Sequence, residues 1–289
     1  MKKILLLFLL SYFTISCQDY GQLKVIASLP DSLSEVSGLH KFTNSPLVWI
    51  IADSGNEPAV YGYNIRSGNM DKVINISNGK NIDWEDLTGD TEGNLYIGDF
   101  GNNNNKRKNL TIYKITKAST FPEGIVKTEA VKTTFYFEDQ KKFPPKKKDR
   151  NFDVEAFFFL NGNFYLFTRN RSKDFDGTTK LYKVPALEGN YEAELLGEYK
   201  TCDDDDECQV TAAAIDFKTG TIALLSSKNI WLFSNYKNDD FFKGDIKRIK
   251  LSYPSQKESI TFKDSETLYI ADELVHMEGG NLYELGIKN

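Results

Sequence analysis

Asp83-Trp84-Glu85-Asp86-Leu87, Asn94-Leu95-Tyr96-Ile97-Gly98-Asp99 and Leu110-Thr111-Ile112-Tyr113-Lys114-Ile115 form the stretch that decides the fold. The three runs are short and rich in aliphatic, β-branched and aromatic residues. Gly, Asn and Asp separate them, which is the chemistry of strands joined by tight turns. The phrase returns four more times in degraded form. Its copies are Ser37-Gly38-Leu39 with 49–53 and 59–63, Glu155-Ala156-Phe157 with 164–168 and 180–184, Thr211-Ala212-Ala213 with 222–226 and 230–233, and Glu258-Ser259-Ile260 with 268–272 and 281–285. A unit this small cannot bury its apolar face alone, so the copies must pack on one another.

Spacing within the copies is steady. From Ser37 to Asp53, Glu85 to Asp99, Glu155 to Thr168, Thr211 to Ser226 and Glu258 to Asp272 the intervals are 16, 14, 13, 15 and 14 residues. A hydrophobic register held that closely specifies a repeated hairpin. Fourth-strand candidates follow the first four copies at 72–76, 131–137, 194–200 and 245–251, whereas the last copy reaches the C-terminus without one. The unpaired run 23–29 has the right character to complete it and to cover an otherwise open sheet edge. The expected fold is therefore all-β, a five-bladed β-propeller whose N-terminal strand closes the last blade. Six blades would need a further blade within the 70-residue interval from Glu85 to Glu155, which is accounted for by a fourth strand and a loop over 139–153 containing Pro144-Pro145 and a run of Lys.

Ahead of the repeats, Met1-Lys2-Lys3, an apolar run from Ile4 to Ile15 and then Ser16-Cys17 resemble a bacterial lipoprotein signal. The expected division is a signal over 1–16, a linker over 17–21 after a lipidated Cys17, and one propeller domain over 22–289. That resemblance implies a chain held at the bacterial cell envelope, on the outer membrane or cell surface, by an acyl anchor in the bilayer. The net charge of −5 becomes two units more negative without Lys2 and Lys3, which argues against bulk nucleic-acid binding. Cys202 and Cys208 flank Asp203-Asp204-Asp205-Asp206-Glu207 and form a plausible disulfide in an oxidising compartment, around a loop that reads first as solvated.

First strands line the axis of a propeller, so Ser37, Glu85, Glu155, Thr211 and Glu258 are expected to converge there as an all-oxygen set. Three carboxylates in one channel require a cation, protonation or basic partners. Oxygen ligands suit calcium and disfavour zinc. Asp53, Asp99 and Asp272 at the ends of second strands, with Arg169 and Arg171 in a loop of the same mouth, are candidate ligand contacts, the arginines for an anion. This placement of Ser, Glu, Glu, Thr and Glu resembles the central calcium site of calcium-activated nucleotidases (apyrases). That resemblance implies a five-bladed fold and hydrolysis of nucleoside diphosphates. The phrases Glu35-Val36-Ser37-Gly38-Leu39, Asp53-Ser54-Gly55-Asn56 and Trp84-Glu85-Asp86-Leu87 with Gly98-Asp99-Phe100-Gly101-Asn102 are more similar to a broad group of bacterial secreted propellers labelled phytase-like or esterase-like. The favoured expectation is a monomeric binder of a small anionic ligand or an envelope protein at a metal-supported site. Its alternative is a calcium-dependent hydrolase of a phosphorylated, nucleotide-like or lactone-like substrate.

Overall fold

A computed structural model describes residues 18–43 and 45–288. The expected signal and the expected lipidation position Cys17 lie outside the described residues. The chain is a β-propeller, and the strands of the described residues pair into five four-stranded antiparallel units. Unit one comprises Val36–His40, Leu47–Ala52, Ala59–Asn64 and Asn69–Ile76, and unit two comprises Trp84–Gly89, Leu95–Asp99, Leu110–Ile115 and Val131–Phe137. Unit three comprises Asp153–Leu160, Asn163–Arg169, Thr178–Pro185 and Gly189–Lys200. Unit four comprises Ala212–Ile215, Ile222–Leu225, Asn229–Ser234 and Asp245–Lys250. Unit five takes Lys257–Asp264, Thr267–Asp272 and Asn281–Gly286 from the C-terminus, and Lys24–Ser28 pairs antiparallel with Asn281–Gly286 to complete it. The expected closure by the N-terminal strand is thus what the chain forms.

Cyclic packing follows from the alternation of buried side chains. Five apolar clusters each lie between two neighbouring units: Trp49 with Trp84 and Ile97, Phe100 with Phe157 and Tyr182, Phe158 with Trp231 and Phe233, Leu225 with Ile260 and Tyr283, and Ile50 with Tyr269 and Leu282. The last cluster joins unit five back to unit one. Two features depart from independent four-stranded sheets. Gly124–Thr128 leaves unit two and adds a parallel fifth strand to unit one, and the outer strands of units two and three pair in parallel, merging them into an eight-stranded sheet. Gly124–Thr128 buries little, Ile125 being 77% exposed.

The first strands surround the axis, and Asp86 closes it midway. Asp86 is fully buried, and its carboxylate accepts N–H bonds from Leu87 at 2.8 Å, Phe157 at 2.9 Å and Ala213 at 3.3 Å, so one side chain joins the inner strands of units two, three and four. Burial pushes this carboxyl well above the usual carboxylate range, while the three N–H donors pull the other way. Removing it strands buried donors on two strands. Asp86→Ala is expected to cost about 3 kcal/mol, and the shape-conserving Asp86→Asn less than half of that, in urea denaturation. An unchanged midpoint for Asp86→Ala would contradict the bridging role. Gly38 beside it is required by contact, since a Cβ there would sit 2.5 Å from the Leu87 nitrogen.

Candidate functional site

Four of the five expected axial residues sit at β-bulges. Strand pairing skips one residue between Val36 and Gly38, Trp84 and Asp86, Val154 and Ala156, and Lys257 and Ser259. The skipped residues are Ser37, Glu85, Glu155 and Glu258. A bulge places two residues opposite one and re-aims a side chain, and here each turns an oxygen-bearing group into a cavity of about 220 Å³ at one end of the axis. In unit four the corresponding Thr211 precedes the strand without a bulge. Its hydroxyl donates to the Lys257 carbonyl at 2.7 Å, and it does not line the cavity.

The cavity has two electrically different halves. On the side of unit three, Arg171 donates to Asp153 at 2.6 Å and to Glu155 at 2.7 Å, while Arg169 donates to Glu155 at 3.2 Å and lies 3.9 Å from Glu258. Arg169 also donates to Gln209. Both arginines line the cavity, with their charge committed to its own carboxylates. Burial works against ionisation of Glu155, but Arg169 and Arg171 outweigh it and hold its carboxyl below the usual range. Asp153 is pushed well above that range, first by burial and then by Glu155, despite Arg171.

In the other half no cation is paired with the carboxylates directly; Arg107, bound to Asp99, acts on Asp83 only from behind. Carboxylate oxygens of Asp53, Asp83 and Glu85 lie within 4.8 Å of one another, and none of the three forms an ion pair among the described residues. At an effective dielectric of about 20, each such pair of charges repels by about 3.5 kcal/mol, so three pairs rival the whole stability of a domain. Burial and the neighbouring acids raise all three carboxyls, Asp83 to about 6. Beside them Ser37 is 3% exposed, and its hydroxyl has no hydrogen-bond partner. Glu273, held by Gln256 at 2.6 Å, completes the rim.

The loop after Leu95–Asp99 builds this half. Gly98 leaves room for the Phe100 ring, which would stand 2.1 Å from a Cβ. Gly101 leaves room for the carboxylates, since a Cβ there would meet Glu85 Oε1 at 1.9 Å and Asp83 Oδ2 at 2.6 Å. Asp99 accepts from the Asp83 N–H at 3.1 Å and from Arg107 at 2.9 Å, and Asn102 accepts from the N–H groups of Lys106 and Arg107, both at 2.8 Å. Asp99 thus positions Asp83 from behind and does not line the cavity. Asp272 is likewise turned away, accepting from the Asn281 N–H at 2.9 Å and the Tyr283 hydroxyl at 2.7 Å. Of the second-strand ends singled out in the sequence, Asp53 alone faces the cavity.

Asp83, Asp153 and Gln256 belong to a pattern the axial set leaves out. Two residues before each axial position stand Glu35, Asp83, Asp153, Gln209 and Gln256, polar in every unit. On an extended chain such residues share a face with the axial one. The signal was present two places upstream.

Several of these carboxyls stay protonated into the neutral range. Burial, with help from neighbouring acids, lifts Glu273 to about 7 and Glu258 to about 8, the latter in spite of Arg169. Unfolded, they titrate near 4.5, so between those values the folded chain binds more protons than the unfolded one, and stability falls as pH rises. Glu155, with its lowered value, acts in the opposite sense at lower pH. In chelator, the urea midpoint is expected to decline from pH 5 to pH 8.5, and a rising midpoint over that window would contradict the assignment.

No family model matches the chain, and no curated protein matches it. Among solved structures, the PQQ-bound aldose sugar dehydrogenase of Streptomyces coelicolor aligns at a TM-score of 0.53 and 9% identity, over 91% of this chain and 97% of that one. A nidogen/laminin complex aligns at a TM-score of 0.47 and 12% identity, over 82% and 72%. The first of these likenesses supports the propeller fold alone. Cys202 and Cys208 form the expected disulfide. Glu207 beside it is held by Lys228 at 2.8 Å. Among the described residues no helix is long and apolar enough to cross a membrane.

Proposed function

We propose that the acidic half of the cavity binds a hard divalent cation, calcium, through Asp53, Asp83 and Glu85 with the Ser37 hydroxyl, and that the loaded site holds a small anionic ligand or an acidic group of a partner. One observation carries this reading: among the described residues three carboxylates crowd together with no ion pair to any of them, next to a buried hydroxyl that has no hydrogen-bond partner. The donors are all oxygen, which suits calcium and leaves zinc without nitrogen or sulfur. Both histidines lie outside the set: His40 belongs to the opposite end of the axis, and His276 to a loop that contributes nothing to the cavity. Arg169 and Arg171 neutralise Glu155 and Glu258, leaving the cation with the three acids that need it. Held there, the ion would supply positive charge to an anionic group at the cavity mouth.

Calorimetric titration of the full-length protein with calcium chloride tests the proposal. Saturable binding at one site, removed by Asp53→Asn, is the expected result, and the absence of heat at millimolar calcium would refute it.

A second reading, hydrolysis of a phosphorylated or lactone-like substrate, is favoured by Glu258 and Glu273. Both face the cavity with carboxyls that titrate near neutrality, the range a general acid or base requires. When bound, calcium would supply charge stabilisation for a leaving oxygen. Phosphate release from nucleoside di- and triphosphates, or opening of a lactone, lost in Glu258→Gln would establish it. No turnover on any of these substrates would leave the binding role.

A further inference from the structure

Beyond Asp86 the axis opens again at the opposite end. The lower cavity has a volume of about 310 Å³. Its floor is apolar. Two residues beyond each axial position stand Leu39, Leu87, Phe157, Ala213 and Ile260, so unit four supplies a methyl group where the others supply a bulky side chain. Ala214 follows Ala213 and also lines the space, and Phe217, 39% exposed, stands at its entrance.

The rim is cationic and its charge is poorly spent. Lys41 has no acidic partner among the described residues; its ammonium donates to the carbonyls of Phe42, at 2.9 Å, and Ser45. Besides burial, the groups that act on it are Lys263 and Arg66, both positive. Lys218 forms no ion pair among the described residues, whereas Lys263 is held by Glu284 at 2.6 Å. Asp216 and Asp264 also face this end, but local donors occupy them: the Lys218 N–H at 3.2 Å and the Thr219 hydroxyl at 2.7 Å for Asp216, and the Glu266 N–H at 2.9 Å for Asp264. His40 provides the second, independent observation. It is 8% exposed, lines the cavity, and neither ring nitrogen has a hydrogen-bond partner among the described residues. Its ring nitrogens keep some exposure and have no protein partner among these residues, so a molecule entering the cavity can hydrogen-bond to them.

We propose that this cavity is a second binding site, separate from the acidic one, for a small monocarboxylate with an apolar or aromatic body. The body rests on Ala214, Ile215 and Phe262 against Phe217, the carboxylate meets Lys41 and Lys218 at the rim, and His40 supplies a hydrogen bond. The size is at the lower end for a ligand pocket, which selects a compact molecule. Asp216 and Asp264 near the rim oppose a multiply charged one.

The test is calorimetric titration of the full-length protein with phenylacetate, and with its uncharged analogue phenylacetamide. Saturable phenylacetate binding is expected, with phenylacetamide markedly weaker. The double variant Lys41→Gln/Lys218→Gln is expected to weaken phenylacetate about tenfold, the product of two rim contacts of about threefold each. Its circular dichroism should be unchanged. Asp53→Asn should bind phenylacetate as the parent does, which separates this site from the calcium site. Equal affinity for the two probes, no saturation by about 10 mM phenylacetate, or a double variant with parental affinity would each overturn the proposal.

Discussion

Millimolar calcium is expected to raise the melting temperature of the parent chain by about 5–10 °C, and Glu85→Gln is expected to lose that shift. The size follows from linkage. A ligand present at a hundred times its dissociation constant stabilises by about 2.7 kcal/mol, and a domain of this size gains about 2–4 °C per kcal/mol. The variant carries a second, opposite signature. Glu85 has no cation of its own and is pushed up by burial and then by Glu155, Asp53, Asp153 and Asp83. Removing its charge relieves that repulsion, so in chelator Glu85→Gln should melt above the parent, and in calcium below it. A role confined to packing would lower the melting temperature in both conditions. Gly101→Ala reaches the same site without changing charge, because its Cβ would stand 1.9 Å from Glu85 Oε1. It should diminish the calcium shift while leaving the chelator-state repulsion in place. Equal calcium shifts in the parent and Glu85→Gln, or no shift in the parent, would sink the assignment.

The architecture was readable because each copy repeats an apolar alternation, and the same alternation makes a polar residue such as Glu85 or Glu258 stand out within a buried strand. What alternation does not reveal is the bulge. A skipped pairing partner changes where Ser37, Glu85, Glu155 and Glu258 point without changing their residue types. Thr211 has the same apparent position and no bulge, and its hydroxyl goes to a neighbouring carbonyl instead. The arginines show a related limit. A loop reading offers Arg169 and Arg171 to an outside anion, but burial beside Glu155 and Asp153 makes them internal counter-ions. Asp99 and Asp272 were distinguishable from Asp53 only once their donors, Arg107 for one and Tyr283 for the other, were placed in space.

That internal role gives Arg169 the largest predicted stability effect in the chain. Its guanidinium spans the axis from Glu155 of unit three to Glu258 of unit five and also holds Gln209 ahead of unit four, so one side chain fastens three units at their inner edge. Breaking a buried pair by removing one partner costs about 3–5 kcal/mol, because the charge left behind is uncompensated. Arg169→Leu is therefore expected to lower stability by that amount at pH 8. At pH 5 the loss should be smaller, since Glu155, left with Arg171 alone, and Glu258, left without Arg169, can take up protons instead of remaining charged. Urea denaturation at the two pH values measures the difference directly. An anion-contact residue would behave differently: its removal would leave stability unchanged at both pH values and affect only ligand affinity. A loss of equal size at pH 5 and pH 8 would show that Arg169 acts through packing of its stem, whereas a loss confined to high pH identifies it as the cation that completes one half of the cavity, with the other half left for calcium.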